Sequence, residues 1–70
     1  MINEEIIGTV AGKVWQYLNT NGATAVLKLK FELSLDNRML FLSLGWLARE
    51  GKIVLQPDLE AKDVIVDLNK

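Results

Sequence analysis

The side chains in this sequence numerous enough to do acid–base chemistry are the carboxylates, and they are dispersed. Glu4, Glu5, Glu32, Asp36, Glu50, Asp58, Glu60, Asp63 and Asp67 are spread over 70 residues. General acid–base catalysis needs such a group held beside a reacting atom or a partner that it tunes. The chain has no histidine and no cysteine, so the commonest general base, the commonest metal ligand and the thiol nucleophile are all missing. Ser34 and Ser43 have no base nearby in sequence and read as a turn residue and a helix residue. Asp58, Glu60 and Asp63 lie close together, but a calcium loop wants more oxygen ligands and a glycine at its turn. The glycines at 8, 12, 22, 45 and 51 are scattered rather than gathered into a phosphate loop. The expectation is a protein that is not an enzyme, with no cofactor, no metal and no small-molecule ligand.

The remaining chemistry is binding. Eight Lys and Arg stand against nine Asp and Glu, net −1, so the totals do not describe a strongly basic nucleic-acid binder. Half the residues are apolar, enough for one core, and the length predicts one domain over residues 1–70. A domain this small buries only ~60% of the surface its unfolded chain exposes. Residues 1–5 are acidic and lack the basic start of a secretory signal. The longest apolar uncharged run, Met39 to Ala48, is far short of the ~20 residues that cross a membrane. The expected address is the cytoplasm, with no membrane partner.

The elements that must position the binding residues are readable in part. Asn3 before Glu4 and Glu5 is a capping side chain followed by acids over the positive end of a helix dipole. Ile6, Ile7, Val10, Ala11, Val14, Trp15 and Leu18 form the apolar stripe of that helix. Asn19-Thr20-Asn21-Gly22 is expected to end it, with Gly22 left-handed. Ala23-Thr24-Ala25 reads as a short strand, with Thr24 capping whatever helix follows. Residues 25–33 carry two patterns. Leu27, Leu29, Phe31 and Leu33 alternate as in a strand, whereas Val26, Leu29 and Leu33 fit one face of a helix. Asp36 predicts the start of a third helix over 37–50, with Leu40, Leu44 and Leu47 as core stripe, Ser43 beside them and Gly51 just past the end. Ile53 to Gln56 and Asp63 to Asp67 read as two strands of a hairpin, turning at Pro57-Asp58 and continuing through Lys62.

The order is helix, short strand, segment 25–33, short link Ser34-Leu35-Asp36, helix, hairpin, and it uses the whole chain. Trp46-Leu47-Ala48-Arg49-Glu50-Gly51-Lys52-Ile53 has the apolar–acid–glycine–basic–β-branched run that leads from a recognition helix into a wing strand. In these features the chain resembles the winged helix-turn-helix family, and is similar to small stand-alone bacterial members with no ligand domain. The resemblance implies an α+β fold of three helices plus a C-terminal β-hairpin wing, and it selects the helical reading of 25–33. It also implies a DNA-binding, regulatory role, with the third helix in the major groove and the wing near phosphate. Carried onto this sequence, the base-facing positions are Asn37, Arg38, Phe41, Leu42 and Gly45, with Arg49 further along. Arg38 suits guanine and Asn37 adenine. Lys28, Lys30, Lys52 and Lys62 fall where phosphates would be met. Thr24 to Glu50 has a local charge of only +1, and Asp58 and Glu60 near the expected wing tip oppose phosphate.

The same residues support a second reading. The third helix carries Met39, Leu40, Phe41, Leu42, Leu44, Trp46 and Leu47, and its core stripe uses three of them. Phe41, Leu42 and Trp46 then form a surplus that a homodimer would hide. Gly8 and Gly12 share a face of the first helix with Trp15. A helix-interior glycine costs ~1 kcal/mol relative to alanine, which close approach of another backbone would offset. Either set is a candidate dimer contact. The alternative to a DNA-binding homodimer is therefore a protein-interaction module that binds no nucleic acid.

Overall fold

Leu40, Leu44 and Leu47 are buried together against Ala11, Val14 and Leu18, and the elements carrying these two stripes fix the architecture. The computed structural model describes residues 2–70; Met1, the first residue of the segment read for a secretory signal, lies outside them. In chain order the elements are α1 (Glu4–Asn21), β1 (Thr24–Ala25), α2 (Val26–Glu32), α3 (Asn37–Arg49), β2 (Ile53–Asp58) and β3 (Asp63–Leu68). α1 packs on α3, and a three-stranded antiparallel sheet of order β1-β3-β2 completes the core with Ile53 and Val66. This is the expected α+β arrangement, three helices and a C-terminal hairpin, with β1 added to the hairpin as its third strand.

α1 begins as its sequence predicts. The Asn3 side-chain oxygen accepts from the Ile6 N–H at 3.0 Å, which satisfies one of the free donors of the first turn. The helix runs through Asn19-Thr20-Asn21 rather than ending there. The Asn21 side-chain amide donates to the Tyr17 carbonyl at 2.9 Å, so the last turn is partly capped by its own residue. Gly22 ends it at positive φ (81°), but with ψ −164° rather than in the left-handed helical well.

Thr24 does not cap α2. It lies in β1, paired with Val66, and its hydroxyl donates to the Gly22 carbonyl at 2.8 Å. Ala25 occupies the capping position without a side-chain hydrogen bond. An acceptor comes instead from the hairpin: the Asp63 carboxylate receives the Leu27 N–H at 3.4 Å. α2 spans Val26–Glu32, one residue shorter at each end than expected, and confirms the helical reading. Leu29 is fully buried and Leu33 packs at the edge of the core, while Lys28 and Glu32 face water. The strand-like alternation came from Leu27 and Phe31, which lie on the outside of the helix.

α2 and α3 end in the same way with different residues. After α2, Ser34 N–H donates to the Phe31 carbonyl and Leu35 N–H to the Lys30 carbonyl. After α3, Gly51 N–H donates to the Ala48 carbonyl and Lys52 N–H to the Leu47 carbonyl. Both are Schellman turns. The pivotal residue has φ 69° at Gly51 and φ 52° at Ser34, where a Cβ is strained. α3 itself starts on Asp36, whose carboxylate accepts from the Met39 N–H at 2.8 Å. Ser43, fully buried among the leucines, donates to the Met39 carbonyl at 2.6 Å, which removes the penalty for an unpaired hydroxyl.

The hairpin turns later than expected. β2 continues through Pro57 and Asp58, which oppose Val64 and Asp63, and the turn is made by residues 59–62. Proline fits because of register. The Asn69 N–H bonds the Lys52 carbonyl, so Val54, Gln56 and Asp58 hold the hydrogen-bonded positions and Pro57 points its ring nitrogen toward the outer edge.

Ser34→Gly is expected to raise the free energy of unfolding by up to ~1 kcal/mol, because glycine adopts the left-handed well without strain. Gly51→Ala should lower it by a similar amount. Urea unfolding midpoints check both, and a lower midpoint for Ser34→Gly would contradict the strain.

Candidate nucleic-acid interface on the third helix

Burial of Leu40, Ser43, Leu44 and Leu47 turns the opposite side of α3 outward. Asn37, Arg38, Phe41, Leu42, Gly45 and Arg49 are all exposed there. Arg38 and Arg49 are three helical turns apart, roughly 16 Å along the axis. The α3 segment Asn37–Arg49 contains no acid; Asp36 and Glu50 stand at its two ends. The outward face thus has a cation near each end and apolar side chains between.

The first turn of α3 also forms one wall of a shallow groove. Asn37, Arg38, Phe41 and Leu42 line it together with Ile2, which comes from the residues preceding α1. Phe41 is 58% exposed, Ile2 47% and Leu42 42%. Ile2 was not among the residues expected at the site. Its signal is slight: an apolar residue immediately before a capping asparagine.

The other basic candidates do not line the groove. Lys28 is exposed on α2 and Lys30 is half-buried in its last turn. Lys52 follows the glycine turn after α3. Lys62 ends the wing turn at φ 55°, between Glu60 and Asp63. Arg49 shares a separate concavity with Trp46 and Glu50.

The proposed glycine face of α1 is divided. A Cβ built on Gly8 would lie 3.9 Å from the Trp46 ring, so Gly8 and Trp46 face each other within the chain. Trp46 and Trp15 are both half-buried against the core. Trp46 therefore belongs to the α1–α3 contact as well as to the candidate dimer set. Gly12 and Gly45 are different: both are exposed, with nothing within 4 Å of an added Cβ. No close approach within the chain accounts for either one.

Among the described residues there is no group of three His, Cys, Asp or Glu side chains that could hold a metal ion. No helix among them is long and apolar enough to cross a membrane.

The family model described as "Winged helix-turn-helix domain (DUF2582)" matches residues 1–67. No curated protein sequence matches the chain. Among solved structures, it is similar to protein BT2368 from Bacteroides thetaiotaomicron, determined by solution NMR. The identity is 30%, the TM-score 0.81, and the match covers 96% of this chain and 79% of that one. It is also similar in fold to the Zalpha domain of PKZ from Carassius auratus, solved in complex with Z-DNA. There the identity is 22%, the TM-score 0.74, and the coverage 89% of this chain and 95% of that one.

Because space is open at both positions, Gly12→Ala and Gly45→Ala are each expected to stabilise the fold by ~1 kcal/mol. Thermal unfolding checks this. A destabilised Gly45→Ala would contradict the open space at that position of α3.

Proposed function

The chain belongs to the winged helix-turn-helix family DUF2582, and from that premise we propose that it binds duplex DNA as a small regulator in a bacterial cytoplasm. The observation that carries this reading is the outward face of α3. It presents Asn37 and Arg38 at its exposed start and Arg49 near its end, with no acid in the helix. Arginine can bond guanine and asparagine adenine through two hydrogen bonds each, and helix N-terminal residues are the ones that meet base edges in helix-turn-helix docking. Lys28, Lys30, Lys52 and Lys62 supply phosphate contacts around that face. The Carassius auratus Zalpha domain, of the same fold, is found on Z-DNA, which supports testing left-handed as well as right-handed duplexes. The role is binding rather than catalysis.

A second reading has its own observation. Phe41, Leu42 and Ile2 leave apolar surface open around one groove, and a two-fold contact between two copies would cover it. Such a homodimer would occlude part of the DNA face, so the two associations compete.

Titration of the protein with both duplex forms over a salt series tests the first reading. Affinity should fall steeply with salt, because only a few cations neutralise phosphate. Arg38→Ala should weaken binding by about 1–3 kcal/mol, whereas Lys70→Ala should change it little. Absence of binding at low salt, or an unaffected Arg38→Ala, would remove the DNA reading. Light scattering tests the second: a dimer at micromolar or higher concentration that Leu42→Glu dissociates supports it, and a wild-type monomer at high concentration rejects it.

A further inference from the structure

We propose that Phe41 and Leu42 recognise the C5-methyl groups of thymine, so that the duplex this domain prefers is one presenting A·T pairs to α3. The proposal rests on the reading of α3 as the DNA-facing helix and names the ligand chemistry of that face.

The apolar side chains sit at the middle of the face rather than at its rim. Arg38 lies one turn before them and Gly45 one turn after, all exposed. The major groove offers one apolar group to such side chains, the thymine methyl; every other base edge presents donors or acceptors. Phenylalanine and leucine set against a G·C edge would strip water from those polar groups and return no hydrogen bond. The same two residues thus favour thymine and disfavour its competitors.

Asn37 sits one helical turn from Phe41 and lines the same groove. Its side-chain amide matches the N6/N7 edge of adenine. One turn of α3 therefore carries the chemistry for both members of an A·T pair. The charge arrangement fits the same ligand: Arg38 and Arg49 flank the apolar centre, and no carboxylate lies between them. Gly45 adds to the fit, because an exposed position with no side chain and no neighbour within 4 Å does not hold α3 away from a groove floor.

The test uses a short alternating A·T duplex and the same duplex with every thymine replaced by deoxyuridine, which removes only the methyl groups. The wild-type protein should bind the uracil duplex more weakly, by about fourfold per methyl contacted. The double variant Phe41→Ala/Leu42→Ala should bind both duplexes equally, with its fold verified by circular dichroism; the wild-type comparison stands without it. Equal wild-type affinity for the two duplexes would overturn methyl recognition and leave DNA binding intact. A double variant that still favours thymine would overturn the assignment to these two side chains. No binding of either duplex at low salt would overturn this inference, and the same failure with a mixed-sequence duplex that contains G·C pairs would overturn the DNA reading beneath it.

Discussion

Three leucines of α3, Leu40, Leu44 and Leu47, are buried against Ala11, Val14 and Leu18 of α1, and that contact determines which side of α3 remains for anything else. Each buried leucine is worth ~1.5–3 kcal/mol relative to exposure, a large share of the stability available to 70 residues. The helix cannot rotate about its axis without exposing this stripe. Arg38, Phe41, Leu42 and Gly45 therefore face outward as a consequence of core packing. Trp46 reinforces the constraint from the side by lying over Gly8 of α1.

The rest of the fold braces that helix. Asp36 opens it and the Schellman turn at Gly51 closes it, so its ends are set by local hydrogen bonds. The sheet closes the core through Val66, on the central strand, and Ile53. Asp63, at the start of β3, accepts from the α2 backbone and so ties the hairpin to the helix that precedes α3. The outward face is thus carried on an element packed against α1 and β2, whereas the basic wing residue Lys62 sits in the hairpin turn, between Glu60 and Asp63 in sequence.

Much of the architecture was legible because it rests on local rules. Asn3, Asp36 and Gly51 announce helix ends through side-chain or backbone chemistry within a few residues. What was illegible depended on distant partners. Thr24 looks like a cap until β1 pairs with Val66, and only then does its hydroxyl turn back to Gly22. Pro57 looks like a turn because its tolerance in a strand depends on facing a free edge. Residues 25–33 alternate like a strand because Leu27 and Phe31 are left outside, and no local pattern records that. At the candidate site, Asn37, Arg38, Phe41 and Leu42 were readable from the helix period. Ile2 was not, since it joins the groove from the far end of the sequence, before α1 begins.

In the proposed function, the side of α3 turned outward by core packing is the surface that meets DNA. Backbone amide chemical shifts recorded while duplex DNA is added at low salt test it residue by residue. The shifts are expected to concentrate at Asn37, Arg38, Phe41, Leu42 and Gly45, with Ala11, Val14 and Leu18 unmoved. Shifts confined to the exposed edge of β2 or to α1, with α3 silent, would contradict it.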